Sequence, residues 1–362
     1  MADFDALETA GIANARERAA LIEYLDGLGF TAEEMVAAER RGRLFGLAGD
    51  AVRSSGRPVY SLRTAAEVLG QSVEQVEHSW ALLGLTIASP DHIVLSQRDV
   101  DALETCALMS ERMGADRVEG LLRFMGAAMS RLAEAETTVL RSSAPDFWIT
   151  RSHDELTTAR TWRALAELIP RAGSLLDVIH RHHLTRPNLF ENVTDDPSSN
   201  VTCGVGFADL SGFTALTHVL TPVELSALLN GFSATATDVI RREKGRVVKF
   251  IGDAVMWVSS TPQQLVDTAG GIIGDQRTLD AGLRVRAGLS FGQVLAINGD
   301  YFGEAVNLAA RLVAAALPGQ ILVASEVREA LPDRAADPQD PLTLKGFDEP
   351  VSAFDMSACG GA

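Results

Sequence analysis

The chain has 362 residues, 46% hydrophobic and 22% charged, with a formal net charge of −16: the balance of a soluble globular protein long enough for two domains, each with its own core. That acidity argues against a duplex-DNA or anionic-membrane partner held by bulk electrostatics, but not against a nucleotide whose phosphates ride on a metal held by a few carboxylates. No run approaches the ~18 uncharged apolar residues of a spanning helix, the N-terminus MADFDALETA is acidic rather than signal-like, and Cys106, Cys203 and Cys359 lie far apart with no zinc spacing; free thiols and a cytoplasmic location are expected.

Residues 1 to about 183 read as an all-helical domain. Thr31 and Glu34 form a T-x-x-E capping box ahead of Met35, Val36 and Ala37. After the SSGRP loop, a short helix over 63–69 ends at Gly70. Ser72 and Gln75 cap a second, with Val73, Val76, Trp80 and Leu83 on one face and Gly84 at its end. This pair resembles a helix-turn-helix, but an ordinary helical hairpin is the preferred reading. Residues 1–200 hold 20 Lys+Arg against 30 Asp+Glu, a net of −10, so a reading helix would have no basic surroundings.

Ile93, Val94 and Leu95 suggest a short strand. From Ser96 to Leu140 the composition predicts one long helical segment, with Leu103, Leu108, Met113, Leu121, Leu122, Met125, Met129 and Leu132 forming a buried stripe. Helical signals resume over 153–183 and end in the cluster His180, His182 and His183, which could charge together as pH falls through roughly 6.5 or simply cap a solvated helix end. LTRPNLFENVTDDPSSN then marks a linker, 184–200.

From Val201 the pattern turns to α+β. VTCGVGF is a strand leading into ADLSGFT, and Thr221-Pro222-x-Glu224 starts a helix that stops at Gly245. RVVKFIGDAVM, residues 246–256, reads as a hairpin with Gly252-Asp253 at its turn. A helix within 262–283, a strand over 286–294, the loop NGDYFGE, a helix over 305–316, the strand ILVA at 321–324 and edge strands in LTLKGF and VSAFDM follow. The βαββαβ-like order implies a ferredoxin-like sandwich with helices on one face of a largely antiparallel sheet, over 201–362.

Two features of this half carry chemistry. Asp209 ends the first strand and Asp253 sits at the hairpin turn, so two carboxylates on adjacent elements could hold two divalent cations, Mg²⁺ or Mn²⁺, against a triphosphate, while amides of 210–214 cradle phosphate oxygens. The chain has only three lysines against 29 arginines, so Lys249 in this hairpin reads as a chemical choice: a compact point donor rather than a planar fork.

FADLSGFT, VVKFIGDAVM, GLSFGQV and DYFGEAVNLAARL, in this order, resemble the catalytic domain of the class III nucleotide cyclases over about Val201 to Met356. The resemblance implies metal-binding roles for Asp209 and Asp253, adenine reading by Lys249 with Asp300, and catalytic roles for Asn307 and Arg311; Lys345 is a weaker phosphate-contact candidate. It implies an adenylyl cyclase that converts ATP to 3′,5′-cyclic AMP and pyrophosphate at the interface of a head-to-tail homodimer. Adenine offers N1 as acceptor and a 6-amino donor, which Lys249 and Asp300 complement; a guanylyl cyclase would need the reverse polarity. A helix-turn-helix regulator with a nucleotide-binding cyclase-like domain is the reading from another class, disfavoured by the complete catalytic set. The helical half resembles the regulatory domain of the mycobacterial pH-sensing, autoinhibited adenylyl cyclases, which implies regulation through it.

Overall fold

The computed structural model describes residues 4–143, 154–185, 200–280 and 282–357, and the chain divides into two compact units, Met1–Arg186 and Pro187–Ala362. The expected linker falls almost wholly outside the described residues, as does His153.

Local capping chemistry cuts the first unit into its helices. These are α1 (Phe4–Ala10), α2 (Ala19–Gly27), α3 (Ala32–Arg40), α4 (Leu47–Arg53), α5 (Leu62–Leu69), α6 (Val73–Leu82), α7 (Gln97–Met113), α8 (Ala115–Ser143), α9 (Glu155–Ala166) and α10 (Ile169–Leu184). Reciprocal boxes close the N-termini of α3 (Thr31 with Glu34), α5 (Ser61 with Thr64), α6 (Ser72 with Gln75) and α7 (Ser96 with Asp99). Each satisfies two amides that the helix itself cannot, an effect of about 1 kcal/mol per cap. Leu21, Ile22, Leu25, Met35 and Leu44 form one core, which Ala159 of α9 joins. Leu62, Val76, Leu95, Val100 and Leu103 form another under the α5–α6 hairpin, whose turn is Gly70 at φ 64.

Two expectations fail here. The strand at Ile93–Leu95 reduces to one bridge between Leu95 and Tyr60, leaving Ile93 and Val94 exposed. The long segment breaks at Gly114, φ 90, and its stripe is buried only at Leu103 and Leu122, while Leu108, Met113, Met125 and Met129 face solvent. Periodicity marked an apolar face but could not say which of its positions other elements would bury.

The second unit is built on one sheet of β1 (Asn200–Leu210), β2 (Arg246–Ile251), β3 (Ala254–Ser259), β4 (Val285–Ile297), β5 (Asp300–Phe302), β6 (Ile321–Ala324), β7 (Asp337–Pro338) and β8 (Ala353–Asp355). The order is β2-β3-β1-β4-β6-β8-β7, with β5 on β4, and only β4 with β6 runs parallel. LTLKGF contributes one bridge, Leu342 to Val351, rather than a strand. The helices are α11 (Phe213–Thr217), α12 (Pro222–Arg242), α13 (Pro262–Ile273), α14 (Gln276–Asp280), α15 (Glu304–Ala315) and α16 (Ser325–Ala330).

Alternation along the central strands buries both faces, so helices cover both and not one as expected. Ala208, Val255, Trp257, Ala287 and Leu289 point toward α12 and α13. Val205, Phe207, Met256, Val258 and Val294 point the other way, under Ala305, Ala309 and Val313 of α15. Glycines allow the close approach on each side. A Cβ at Gly206 would overlap the buried Trp257 ring, and one at Gly288 would overlap the backbone of α15 at Ala309 and Val313. Because backbone cannot rotate aside, Gly288→Ala is expected to destabilise the fold by roughly 1–3 kcal/mol, as overpacking does. Chemical denaturation will read this as a lower midpoint, and a midpoint unchanged from the parent would show that α15 is seated less closely.

Candidate active site

The hairpin β2–β3 positions two charge clusters. At its tip, Gly252 adopts φ 63 and lets the chain turn into Asp253. Asp209 is the Cα partner of Ala254 on one side and of Arg286 in β4 on the other, and the Leu210 amide donates to the Asp253 carbonyl at 3.3 Å. Register alone therefore brings Asp209, Asp253 and Arg286 together.

Arg286 binds Asp209 through Nη2 at 2.7 Å and Nε at 3.1 Å, while its Nη1 donates to the carbonyls of Ala314 and Ala316 at 3.1 and 3.3 Å. One guanidinium thus ties the end of β1 to the C-terminal end of α15. Sequence reading missed this residue. The available signal was alternation: between the core residues Val285 and Ala287, Arg286 must point to the opposite face, the one Asp209 shares.

Burial pushes the Asp253 carboxyl above the ordinary carboxylate range, and the neighbouring Asp209 raises it further; Arg286 only partly offsets this. Two crowded carboxylates, one of them bonded to a guanidinium, form a donor set that a hard divalent cation fits. Among the described residues no cluster of three or more His, Cys, Asp or Glu gathers as a metal cage, so a cation here would complete its shell with phosphate oxygens or water.

The second cluster depends on an irregularity. Arg246 pairs with Val258 and Val247 with Trp257, but Lys249 pairs with Met256, so Val248 is an extra, bulged residue. Strict alternation would place Lys249 beside Val247 on the Trp257 face. The bulge turns it instead to the face of Met256 and Val258. There Lys249 Nζ donates to Asp300 of β5, which folds back over this face, and Arg246 stacks on the Tyr301 ring at 5.3 Å. Asp300 is itself fixed by the Tyr301 amide, 2.8 Å from its Oδ1. Nearby Cys203 is fully buried, its thiol pushed up to about 12 by desolvation, which makes it a packing residue rather than a nucleophile.

The structure therefore joins Lys249 to Asp300 and Asp209 to Asp253. It does not join Asn307 or Arg311 to either pair. Both lie on the exposed face of α15, one turn apart, and Arg311 Nε donates to the Lys345 carbonyl at 3.1 Å; no hydrogen bond or ion pair among the described residues connects them to the four others. Lys345 thus lies beside Arg311, in the loop after the bridge at Leu342.

With this geometry in hand, the comparisons with known proteins are specific. Residues 195–356 match the family described as the adenylate and guanylate cyclase catalytic domain. The chain is 59% identical over 355 residues to the uncharacterized protein Rv2212 of Mycobacterium tuberculosis, covering 98% of this chain and 94% of that one. It is 31% identical over 338 residues to the pH-sensitive adenylate cyclase MT1302 of the same species, covering 90% and 82%. Among solved structures it is similar to the adenylyl cyclase CyaB from P. aeruginosa, with TM-score 0.40 and 24% identity over 44% of this chain and 95% of that one.

A raised carboxyl contributes stability below the ordinary carboxylate range and loses that contribution as pH rises through its folded value. At neutral pH, without metal, the ionised Asp253 is therefore a cost. Asp253→Asn is expected to raise the thermal midpoint in chelator at pH 7.5 by roughly 1–4 °C, with the gain shrinking as pH drops into the range where Asp253 itself takes up a proton. A midpoint that falls instead would show that the carboxylate is well compensated.

Proposed function

The chain belongs to the class III nucleotide cyclases, and from that premise we propose that it is an adenylyl cyclase forming 3′,5′-cyclic AMP and pyrophosphate from ATP. The observation that carries the substrate choice is the contact between Lys249 and Asp300. It sets a donor beside an acceptor, the complement of adenine N1 and its 6-amino group, and the wrong polarity for guanine. Relatives named as adenylate cyclases support the same choice.

In the reaction the ribose 3′-oxygen bonds to the α-phosphorus, its proton is lost, and the bond from that phosphorus to the bridging oxygen of the pyrophosphate breaks. Two divalent cations, held by Asp209 and Asp253, would acidify the 3′-hydroxyl and neutralise the triphosphate. Arg286, already against Asp209, would meet the phosphates that enter this cluster. Arg311 would stabilise charge developing on the phosphoryl oxygens, an effect worth roughly 3–4 kcal/mol for a preorganised donor, and Asn307 on the same face would position the ribose.

Among the described residues neither Asn307 nor Arg311 bonds to Asp209 or Asp253, which supports a site shared between two copies: carboxylates from one, base and ribose contacts from the other. The helical unit would regulate the output, and the likeness to a pH-sensitive relative supports pH as the input. His180, His182 and His183 lie exposed on α10, a helix without a single buried residue, and are the candidate groups for that input.

Purified protein with Mn²⁺ or Mg²⁺ is expected to form cyclic AMP, and cyclic GMP far more slowly; comparable rates with the two nucleotides would sink the adenine assignment. Asp253→Ala should lower turnover by roughly 100-fold or more, and Lys249→Ala should do likewise. Mixed as heterodimers the two inactive variants should regain part of the activity, and no rescue despite demonstrated subunit exchange would count against a shared site. For the pH input, the variant with all three histidines changed to Gln should flatten the ratio of activities at pH 6 and pH 8, and an unaltered ratio would remove the cluster from the mechanism.

A further inference from the structure

Strand β5 is a slight platform for a residue that must read a base. It has three residues, its ladder runs to β4 alone, and Asp300 is its first, directly after the turn Asn298-Gly299 with φ 51 and 76. The far end of β5 continues through Gly303 into α15, but the turn end, where a short ladder opens most easily, carries the carboxyl. The aim of Asp300 therefore calls for support from outside the β4–β5 hairpin.

Strand β2 supplies it, and the bulge at Val248 is the reason. Residues 246 and 249 are three apart, so in a regular strand they would lie on opposite faces. The extra residue sets Arg246 opposite Val258 and Lys249 opposite Met256, two positions apart on β3 and thus on one face. Both cations are presented to β5. Lys249 donates to the Asp300 carboxylate, and the Arg246 guanidinium lies 5.3 Å from the ring centre of Tyr301, the next residue. That ring is 3% exposed and belongs to the core of Cys203, Met256 and Val258, so it is a fixed surface.

Arg246 has no carboxylate at ion-pair distance among the described residues. Part of its side chain reaches water, yet desolvation holds the guanidinium below its ordinary value, and the negative face of the ring is what compensates the charge. The two ties from β2 also differ in what a nucleotide does to them. Adenine N1 needs a proton of Lys249 Nζ and the 6-amino group needs an oxygen of Asp300, so the base competes with the contact these two make with each other. The Arg246–Tyr301 contact offers the base nothing and is left in place when it arrives.

We propose that Arg246 is a positioning residue for base recognition: stacked on Tyr301, it holds β5 so that Asp300 keeps its aim while adenine draws on both Lys249 and Asp300. This rests on the adenylyl cyclase reading above and adds to it a residue that touches no substrate.

The test is made on the full chain. Arg246→Gln should raise KM for ATP by roughly 3- to 10-fold, lower the preference for ATP over GTP by a similar factor, and leave kcat within about twofold. Arg246→Lys, which keeps the cation, should recover most of both losses. Tyr301→Leu should reproduce the Gln variant and Tyr301→Phe should not, and Arg246→Gln combined with Tyr301→Leu should be no worse than Tyr301→Leu alone. Parental KM and preference in Arg246→Gln would overturn the proposal, as would a fall in kcat alone, additive losses in the double variant, or a Lys variant no better than Gln. Amide hydrogen exchange, which needs no turnover, should be roughly threefold or more faster over 300–302 in Arg246→Gln and unchanged over 204–209 in β1. It separates the two ideas. Faster exchange in β5 with no cyclic nucleotide from the parent spares the Arg246 clamp and sinks the proposed function; cyclic AMP from the parent with unaltered exchange in the variant does the reverse.

Discussion

The catalytic unit depends on holding two carboxylates together against their mutual repulsion. Antiparallel register does this: Asp209 at the end of β1 cannot leave the hairpin tip without breaking the ladder that fixes Phe207, Ala208 and Asp209 to β3. The cost is charge crowding, visible in the raised Asp253 carboxyl. Its supports lie in the packing beneath, where Trp257 fills the space left by Gly206 on one face and α15 presses onto Gly288 on the other. A stiff, glycine-notched sheet is what lets a charged site persist at its edge, because the elements that would relax to separate the charges are seated on backbone.

Arg286 shows how such a site is moderated without being neutralised. Its guanidinium binds Asp209 yet keeps Nη1 for the last carbonyls of α15, acceptors that a helix leaves unsatisfied. It serves as counterion and helix C-cap together, linking the charge state of the strand end to the position of the helix that bears Asn307 and Arg311.

Much of this was legible in the chain. Side chains that bond their own backbone three residues away announce themselves, so the boxes at Thr31, Ser72 and Thr221 were readable. Both carboxylates and the Lys249–Asp300 pair stood in recognisable motifs. What stayed hidden depended on partners distant in sequence. Arg286 matters only because register sets it across from Asp209, and Lys249 reaches Asp300 only because of a bulge that no composition signals. The α8 stripe failed for the complementary reason, since 3.6-residue periodicity reports that a face is apolar and not what will cover it.

The bulge at Val248 has one more consequence. It makes β2 change parity in mid-strand, so that Val247, which packs with the Trp257 core, and Lys249, which meets Asp300, stand on opposite sides of the sheet although only two positions apart. In a regular strand the two would be neighbours on one surface, and altering the residue at 249 would disturb the packing at 247. Here position 249 is insulated from the core, and the strand can vary its side chain there without renegotiating how it folds.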